Sequence, residues 1–171
     1  MAAGTCLSLL SAAVQDVIVQ AVIPFIETHI TAQDWHQREA AVMAFGSILD
    51  GPDPAVLTPL IHQALPLLLN MMSDAETNQD VKDTTAWTLA RICDLHSASL
   101  KPDVHIHPIV SAVVAGLQGT PRVAANCAWA IQTLSDNLSG FSYEDDAIPA
   151  TGPLSGYYEG IMQALMRVTE K

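Results

Sequence analysis

The stretch "DTTAWTLARICD", residues 83–94, nearly recurs as "ANCAWAIQTLSD" at residues 125–136, forty-two positions further along the chain. In both copies a tryptophan follows a polar start, and an aspartate ends an apolar run. A weaker copy, "DWHQREAAVMAFGSILD", occupies residues 34–50. Recurrence at a period of roughly 20–50 residues is typical of repeat proteins, in which similar units stack along one axis. The sequence therefore predicts an array of repeats.

A second apolar segment precedes each copy and carries a proline at a matching place. Pro24, Pro66 and Pro108 follow one another at a spacing of 42, inside the segments "VIPFI", "ALPLL" and "IHPIV". Asp34 and Thr120 are predicted helix N-caps before the copies they precede. Each unit is then two antiparallel helices in about 42–44 residues, a length typical of HEAT or armadillo repeats. The sequence shows no sustained alternation of apolar and polar residues, so it predicts no β-strand.

The predicted fold is all-α, a HEAT-repeat α-solenoid in which antiparallel helix pairs build a right-handed superhelix. Half-repeats at both ends of residues 1–171 favour one continuous array that is a fragment of a longer chain. The predicted units are a lone second helix at 2–14, complete pairs at 16–50, 54–96 and 104–138, an acidic loop at 139–154, and a first helix at 155–170.

Composition limits the classes of partner. Acidic residues outnumber basic ones eighteen to seven, which gives a formal net charge of −11. Phosphate binding needs Lys and Arg, so a nucleic-acid surface and an anionic membrane surface are disfavoured, and a basic partner is favoured. The run "VIVQAVIPFI" is too short to span a bilayer. The three cysteines are predicted to be reduced thiols of a cytosolic or nuclear protein.

One face of the second helices combines acidic and aromatic residues. At 100° per residue, Val81, Leu89 and Ile92 share a core face, and Trp87 lies on the opposite side. In an array the second helices line one surface, usually the concave one. The predicted binding ladder on that surface comprises Glu39, Met43 and Asp50; Asp83, Trp87 and Asp94; Trp129 and Asp136.

A flat ring beside carboxylates suits an arginine or lysine side chain. The ring takes the guanidinium face or the aliphatic stem, and the carboxylate takes the charge. The competing interpretation is that Trp87 and Trp129 fill gaps between repeats and that the aspartates are merely solvated. Arg38 and Lys82, near the starts of second helices, oppose the helix dipole, so each is predicted to pair with a carboxylate of a neighbouring repeat.

The sequence resembles the importin-β (karyopherin-β) family of nuclear import receptors. The stretches that carry this resemblance are "DWHQREAAVMAFGSILDGPDP" (34–54), "DTTAWTLARICDL" (83–95) and "PRVAANCAWAIQTLSD" (121–136), and it extends over residues 2 to about 138. Family members carry roughly twenty HEAT repeats, and the chain resembles the central ones. The 139–154 loop matches the family poorly and is assigned no role.

The resemblance implies a partner and a site. Importin-β receptors bind the basic importin-β-binding helix of importin-α, carry it through the nuclear pore, and release it on binding Ran-GTP. Tryptophans and acidic residues on the inner helices hold that helix, which here implies Trp87 and Trp129 with Asp83, Asp94 and Asp136. The family's contacts with Ran-GTP and with phenylalanine-glycine (FG) nucleoporins lie mainly in other repeats. The implied location is the cytoplasm, the nucleus and the nuclear pore in the envelope.

Three other classes of protein remain open. A HEAT scaffold subunit would bind other partners through its ridge turns and use its tryptophans for packing. An armadillo array would place an Asn one turn after each Trp, whereas Arg91 and Thr133 stand there. An enzyme is disfavoured because no nucleophile elbow or Gly-rich phosphate loop is present. His105 and His107 do not form a metal site at their spacing, so neither a metal nor a cofactor is predicted.

Overall fold

The computed structural model describes residues 2–138 and 152–170, and within those ranges the protein is helical without a β-strand. The predicted all-α HEAT-type fold is confirmed. The helices of the described residues are α1 (Ala2–Val14), α2 (Val17–His29), α3 (Trp35–Ser47), α4 (Pro54–Ser73), α5 (Gln79–Leu95), α6 (His107–Gly116), α7 (Pro121–Leu138) and α8 (Tyr158–Thr169).

Polar side chains fix the starts of several helices. The predicted N-cap at Asp34 is confirmed, since its carboxylate accepts the backbone N–H of His36 at 3.0 Å. Asp53 and Asn78 cap α4 and α5 in the same way, at 2.7 and 2.8 Å from the capped nitrogens. Such caps satisfy donors that the first turn of a helix leaves unpaired.

The helices form two layers with the apolar core between them. The second helices α1, α3, α5 and α7 pack side by side in one layer. The first helices α4, α6 and α8 follow one another in the other layer, and α2 meets α4 across a small groove. The core is made of large side chains that are almost fully buried, among them Val42, Phe45, Leu57, Ile61, Leu89, Ile92, Ile109 and Leu134.

The third helix pair differs from the first two. Pro24 and Pro66 lie inside α2 and α4, but Pro108 stands at the start of α6. A wider π-helical turn, Pro102–Ile106, precedes α6, which is therefore only 10 residues long. The acidic loop predicted at 139–154 lies outside the described residues except for its last three positions.

Helix α4 is 20 residues long and predominantly apolar. By length and composition it is long enough to cross a membrane. However, its buried residues Leu57, Ile61, Leu65 and Leu68 recur at intervals of three and four and lie in the core cluster. Two prolines interrupt its exposed side. These features are those of a central helix in a two-layer array.

Candidate partner-binding surface

The C-terminal end of each second helix is held by side chains of the next one. The last carbonyls of a helix have no partner within it. Arg91 Nε of α5 donates to the carbonyl of Gly46 in α3 at 2.9 Å. Asn137 Nδ2 of α7 donates to the carbonyl of Cys93 in α5 at 3.0 Å. These bonds fix the lateral register of α3, α5 and α7, which carry the predicted binding ladder.

The buried His96 makes a further link of this kind. Its Nε2 lies 2.7 Å from the carbonyl oxygen of Leu49, and a carbonyl only accepts, so Nε2 carries the hydrogen. Within residues 2–138 and 152–170, its buried Nδ1 has no hydrogen-bond partner. His96 therefore links the repeats through one hydrogen bond, which Nε2 donates.

The N-terminal ends of the same helices are joined through carboxylates. Glu39 Oε1 of α3 accepts the hydroxyl of Thr84 in α5 at 2.7 Å. Asp83 of α5 accepts the amide Nδ2 of Asn126 at 3.0 Å and pairs with Arg122 Nη2 at 2.6 Å, both from α7. The Asp83 side chain is only 11% exposed. Its carboxylate therefore serves mainly to connect α5 and α7.

Trp87 is partly exposed but rests on the neighbouring repeat. Its six-membered ring covers Gly46 of α3 so closely that a Cβ atom at Gly46 would collide with Cζ3. The guanidinium carbon of Arg91 lies 5.3 Å from the ring centroid, within the range of a cation–π contact. Trp87 thus combines inter-repeat packing with a surface that remains accessible.

Trp129 takes the corresponding place on α7, 42 residues later, and is also partly exposed. It packs against the core cluster. Asp94 and Asp136 are exposed and follow Trp87 and Trp129 by seven positions, which is about two helical turns. Asp50 is exposed three residues after the end of α3. Among the predicted residues, the structure therefore leaves three carboxylates exposed and the two tryptophans partly exposed, as are Glu39 and Met43.

Two expectations about the second helices need correction. Asp83 was predicted on the face opposite the core together with Trp87 and Asp94, but it is buried between α5 and α7 because Arg122 and Asn126 engage it. The second concerns Arg38, whose predicted pairing with a neighbouring repeat is wrong. Its Nη1 donates to the carbonyl of Ala32 at 2.8 Å, in the loop before its own helix.

Glu39 and Met43 also have neighbours within the array. Glu39 is engaged by Thr84, and Met43 lies under α1, where its Sδ is 3.0 Å from the position that a Cβ of Gly4 would occupy. Sequence reasoning missed Arg122, Asn126 and the capping role of Arg91. A basic residue directly after Pro121, at the start of α7, was the available signal for Arg122.

The described residues give little support for a metal site or for a nucleophilic cysteine. Those residues hold no group of three or more His, Cys, Asp or Glu side chains arranged for a metal ion. The rings of His105 and His107 diverge, the first toward His62 and the second toward Tyr157. Burial raises the pKa of the Cys93 and Cys127 thiols to about 12, which keeps them protonated and unreactive at neutral pH.

Comparison with family models gives two matches. Residues 35–92 match the HEAT-like repeat, and residues 108–171 match the repeats described as Importin subunit beta-1-like, TPR repeats. Among curated proteins, the chain is 47% identical over 171 residues to importin subunit beta-1 of Schizosaccharomyces pombe, covering 100% of this chain and 19% of that protein. It is 42% identical over 166 residues to importin subunit beta-1 of Saccharomyces cerevisiae, covering 97% and 18%.

Solved structures agree with these relatives. A crystal structure of importin beta superposes with a TM-score of 0.90 at 35% identity, over 99% of this chain and 19% of the other. A complex of Kap95 with Nup1 gives 0.84 at 42% identity, over 96% and 18%. A structure of Kap95p with RanGDP gives 0.85 at 41% identity, over the same shares. The chain spans about a fifth of the length of the proteins it matches.

Proposed function

The chain belongs to the importin-β family, and on this premise we propose that it is part of a nuclear transport receptor that binds an arginine- and lysine-rich helix. The chain covers 19% of its relative from Schizosaccharomyces pombe. We therefore propose the complete transport activity for a receptor as long as that relative, and not for this chain alone. The described array supplies one binding surface of that receptor.

One observation carries the proposal. Trp87 and Trp129 are partly exposed at matching positions of adjacent second helices, and each is followed two turns later by an exposed aspartate, Asp94 or Asp136. A guanidinium of the partner can stack on each ring, and other basic side chains of the same partner helix can meet the carboxylates, which lie about 10 Å further along. A formal net charge of −11 attracts a basic helix and raises its association rate.

The ladder residues divide into two roles under this proposal. Trp87 and Trp129 are the flat contacts, and Asp50, Asp94 and Asp136 are the charge partners at the surface. Each cation–π contact contributes about 0.5–2 kcal/mol, so several repeats must act together. The three remaining members contact neighbouring helices and help to hold them in register: Asp83, Glu39 and Met43.

The partner that the family resemblance implies is the importin-β-binding helix of importin-α, or another basic cargo. Structures of the similar Kap95 with RanGDP and with Nup1 support Ran and nucleoporins as further partners of the longer receptor. We place these contacts mostly in repeats outside this chain. The corresponding location is the cytoplasm, the nucleus and the nuclear pore. The proposed activity is binding, with no catalytic step, cofactor, nucleic acid or membrane.

A scaffold function is the alternative, and specific contacts favour it. Trp87 packs on Gly46, and Asp83 is engaged by Arg122 and Asn126, so part of the ladder stabilises the array itself. In a scaffold the tryptophans would matter for stability alone. The two functions therefore differ in what happens to basic-peptide affinity when the rings are removed from a folded chain.

The deciding experiment is a titration of a fluorescently labelled Arg/Lys-rich helical peptide, followed by anisotropy at two salt concentrations. The parent chain is compared with Trp87→Ala/Trp129→Ala and with Asp94→Asn/Asp136→Asn. Trp35→Ala serves as the matched control, because Trp35 begins α3 and stacks on His36 outside the ladder. Circular dichroism establishes that each variant is helical.

We expect the double tryptophan variant to bind at least tenfold more weakly, which corresponds to about 1.4 kcal/mol, and the control to bind like the parent. The aspartate variant should lose affinity chiefly at low salt, because exposed charges are screened at high salt. Equal affinity of the parent and the folded tryptophan variant would reject the proposed site and favour the scaffold.

A further inference from the structure

Trp87 differs from the other tryptophans of the described residues in having an arginine of its own chain over its ring. Arg91 follows it by one turn on α5, and the guanidinium carbon lies 5.3 Å from the ring centroid. Trp35 instead stacks on the imidazole of His36 at 3.7 Å. At Trp129 the residue one turn later is Thr133, which is buried and donates to the carbonyl of Ala130 at 3.1 Å.

Arg91 is held in place by more than the ring. Its Nε donates to the carbonyl of Gly46 at 2.9 Å, close to the C-terminal end of α3. That end of a helix carries partial negative charge, which favours a cation. A hydrogen bond from a charged donor is generally stronger than a single cation–π contact. One arginine of a partner therefore does not displace Arg91 from Trp87.

The consequence is an asymmetry between the two aromatic contacts. A guanidinium that approaches Trp87 meets a like charge fixed on the same ring, whereas Trp129 has no such cation among the described residues. We propose that Arg91 occupies the cation position of Trp87, so that Trp129 is the dominant aromatic contact for a basic partner. This inference rests on the proposed function, and it makes Arg91 a positioning residue that weakens one contact and thereby selects where a partner's arginine lies.

The test is a double-mutant cycle measured with the same labelled peptide. We expect Arg91→Met to bind about threefold to tenfold more tightly than the parent, because the ring becomes available to the partner. Trp87→Ala should cost about twofold in the parent and at least fivefold in the Arg91→Met background. Trp129→Ala should cost the same in both backgrounds. Lys82→Met, on the same helix, removes one positive charge at another place and corrects for net charge.

A second readout does not depend on the partner. In Trp35→Phe/Trp129→Phe, Trp87 is the remaining tryptophan, and its fluorescence is quenched by caesium ions or by neutral acrylamide. Arg91 should repel caesium, so Arg91→Met should be quenched more strongly by caesium and equally by acrylamide. Arg91→Gln keeps a donor for Gly46 and replaces Arg91→Met in both measurements if the latter loses helicity.

The outcomes separate the two proposals. If the parent does not bind the peptide, the proposed function fails, and the quenching comparison still decides whether Arg91 covers Trp87. Peptide affinity that is unchanged or lower in Arg91→Met, after the Lys82→Met correction, overturns the inference. An equal cost of Trp87→Ala in both backgrounds overturns it as well.

Discussion

Arg122 at the start of α7 pairs with Asp83 in α5, with Nη2 at 2.6 Å from Oδ2, and so joins two neighbouring repeats. The two side chains differ in their surroundings, since that of Arg122 is 72% exposed and that of Asp83 only 11%. The Asp83 carboxylate also accepts the amide Nδ2 of Asn126 at 3.0 Å, and without it that partly buried donor would keep only the longer bond, of 3.4 Å, to the Asp83 backbone carbonyl. The carboxylate is therefore the member on which the junction depends.

This difference predicts unequal costs of substitution. Asp83→Ala should lower the free energy of unfolding by about 1–3 kcal/mol, because it removes the nearer acceptor of the partly buried Asn126 amide and the charged hydrogen bond to Arg122. Arg122→Ala should cost at most about 1 kcal/mol, since an exposed ion-pair partner contributes little. Urea unfolding followed by circular dichroism measures both. Asp80→Ala, an exposed acidic position in the first turn of α5, is the control, and equal losses for Asp83→Ala and Arg122→Ala would contradict the assignment.

The contact between Gly46 and Trp87 predicts that adding one methyl group is harmful. A Cβ at position 46 would collide with the Trp87 ring and lie 2.6 Å from Thr88 Oγ1, and a ring between two helices cannot move aside easily. Alanine favours a helix over glycine by up to about 1 kcal/mol, but overpacking costs about 1–3 kcal/mol. Gly46→Ala should therefore destabilise the chain and alter Trp87 fluorescence.

Gly160→Ala is the matched control for that substitution. It also lies in a helix, α8, but no atom of the part of the chain that the structure describes stands within 4 Å of the added carbon. It should leave stability unchanged or raise it by about 0.5–1 kcal/mol. If Gly46→Ala stabilised the chain like Gly160→Ala, the close packing of Trp87 on α3 would be disproved.

The sequence predicted the helical array because the repeat period can be recognised from the spacing of residues along the chain. Apolar residues at helical intervals and the recurrence of Trp87 as Trp129 after 42 residues specify helix pairs and their order. The side-chain links between repeats follow other separations: 45 from Gly46 to Arg91 and 43 from Asp83 to Asn126. The separation between two linked residues depends on the axial offset between the adjacent helices that carry them.

This axial offset is determined by the packing of the helices against each other. The binding ladder was therefore only partly predictable from the sequence. A helical wheel separates the core face from the opposite face, but it does not distinguish the outer surface from the flank that meets the next helix. Asp83 lies on that flank, and Asp94, about three turns later, is exposed. Arg122 and Asn126 became recognisable as partners only when α5 and α7 stood side by side.

The cysteines provide a test of the core. Burial raises the pKa of Cys93 and Cys127 to about 12, and for Cys93 the nearby charge of Asp94 adds to this effect. Cys6 is exposed on α1. At pH 8 we expect one thiol per chain to react rapidly with Ellman's reagent, and the other two only after denaturation in urea. Cys6→Ser should abolish the rapid phase, and rapid reaction of more than one thiol would contradict the packing around α5 and α7.

His105 gives the array a defined response to acid. Burial, and after it the charges of His62 and Lys101, lowers the pKa of His105 from its ordinary value of 6.5. Its Nδ1 accepts the backbone N–H of Lys101 at 3.0 Å, so protonation of Nδ1 would break that bond. The unfolded chain takes up this proton at a higher pH than the folded chain. The contribution of neutral His105 to stability is therefore complete above about pH 6.5 and decreases as the pH falls toward the lowered pKa.

We expect the parent to lose more stability between pH 7.5 and pH 5.5 than His105→Gln, in which the side-chain oxygen accepts the Lys101 N–H without titrating. Urea midpoints measured at several pH values compare the two slopes. His107→Gln is the control, because His107 contacts the ring of Tyr157, whereas the Lys101 N–H is bound by His105. It should keep the slope of the parent. A parent slope that His105→Gln leaves unchanged would mean that the acid response arises elsewhere in the chain and that the Lys101–His105 bond does not control it.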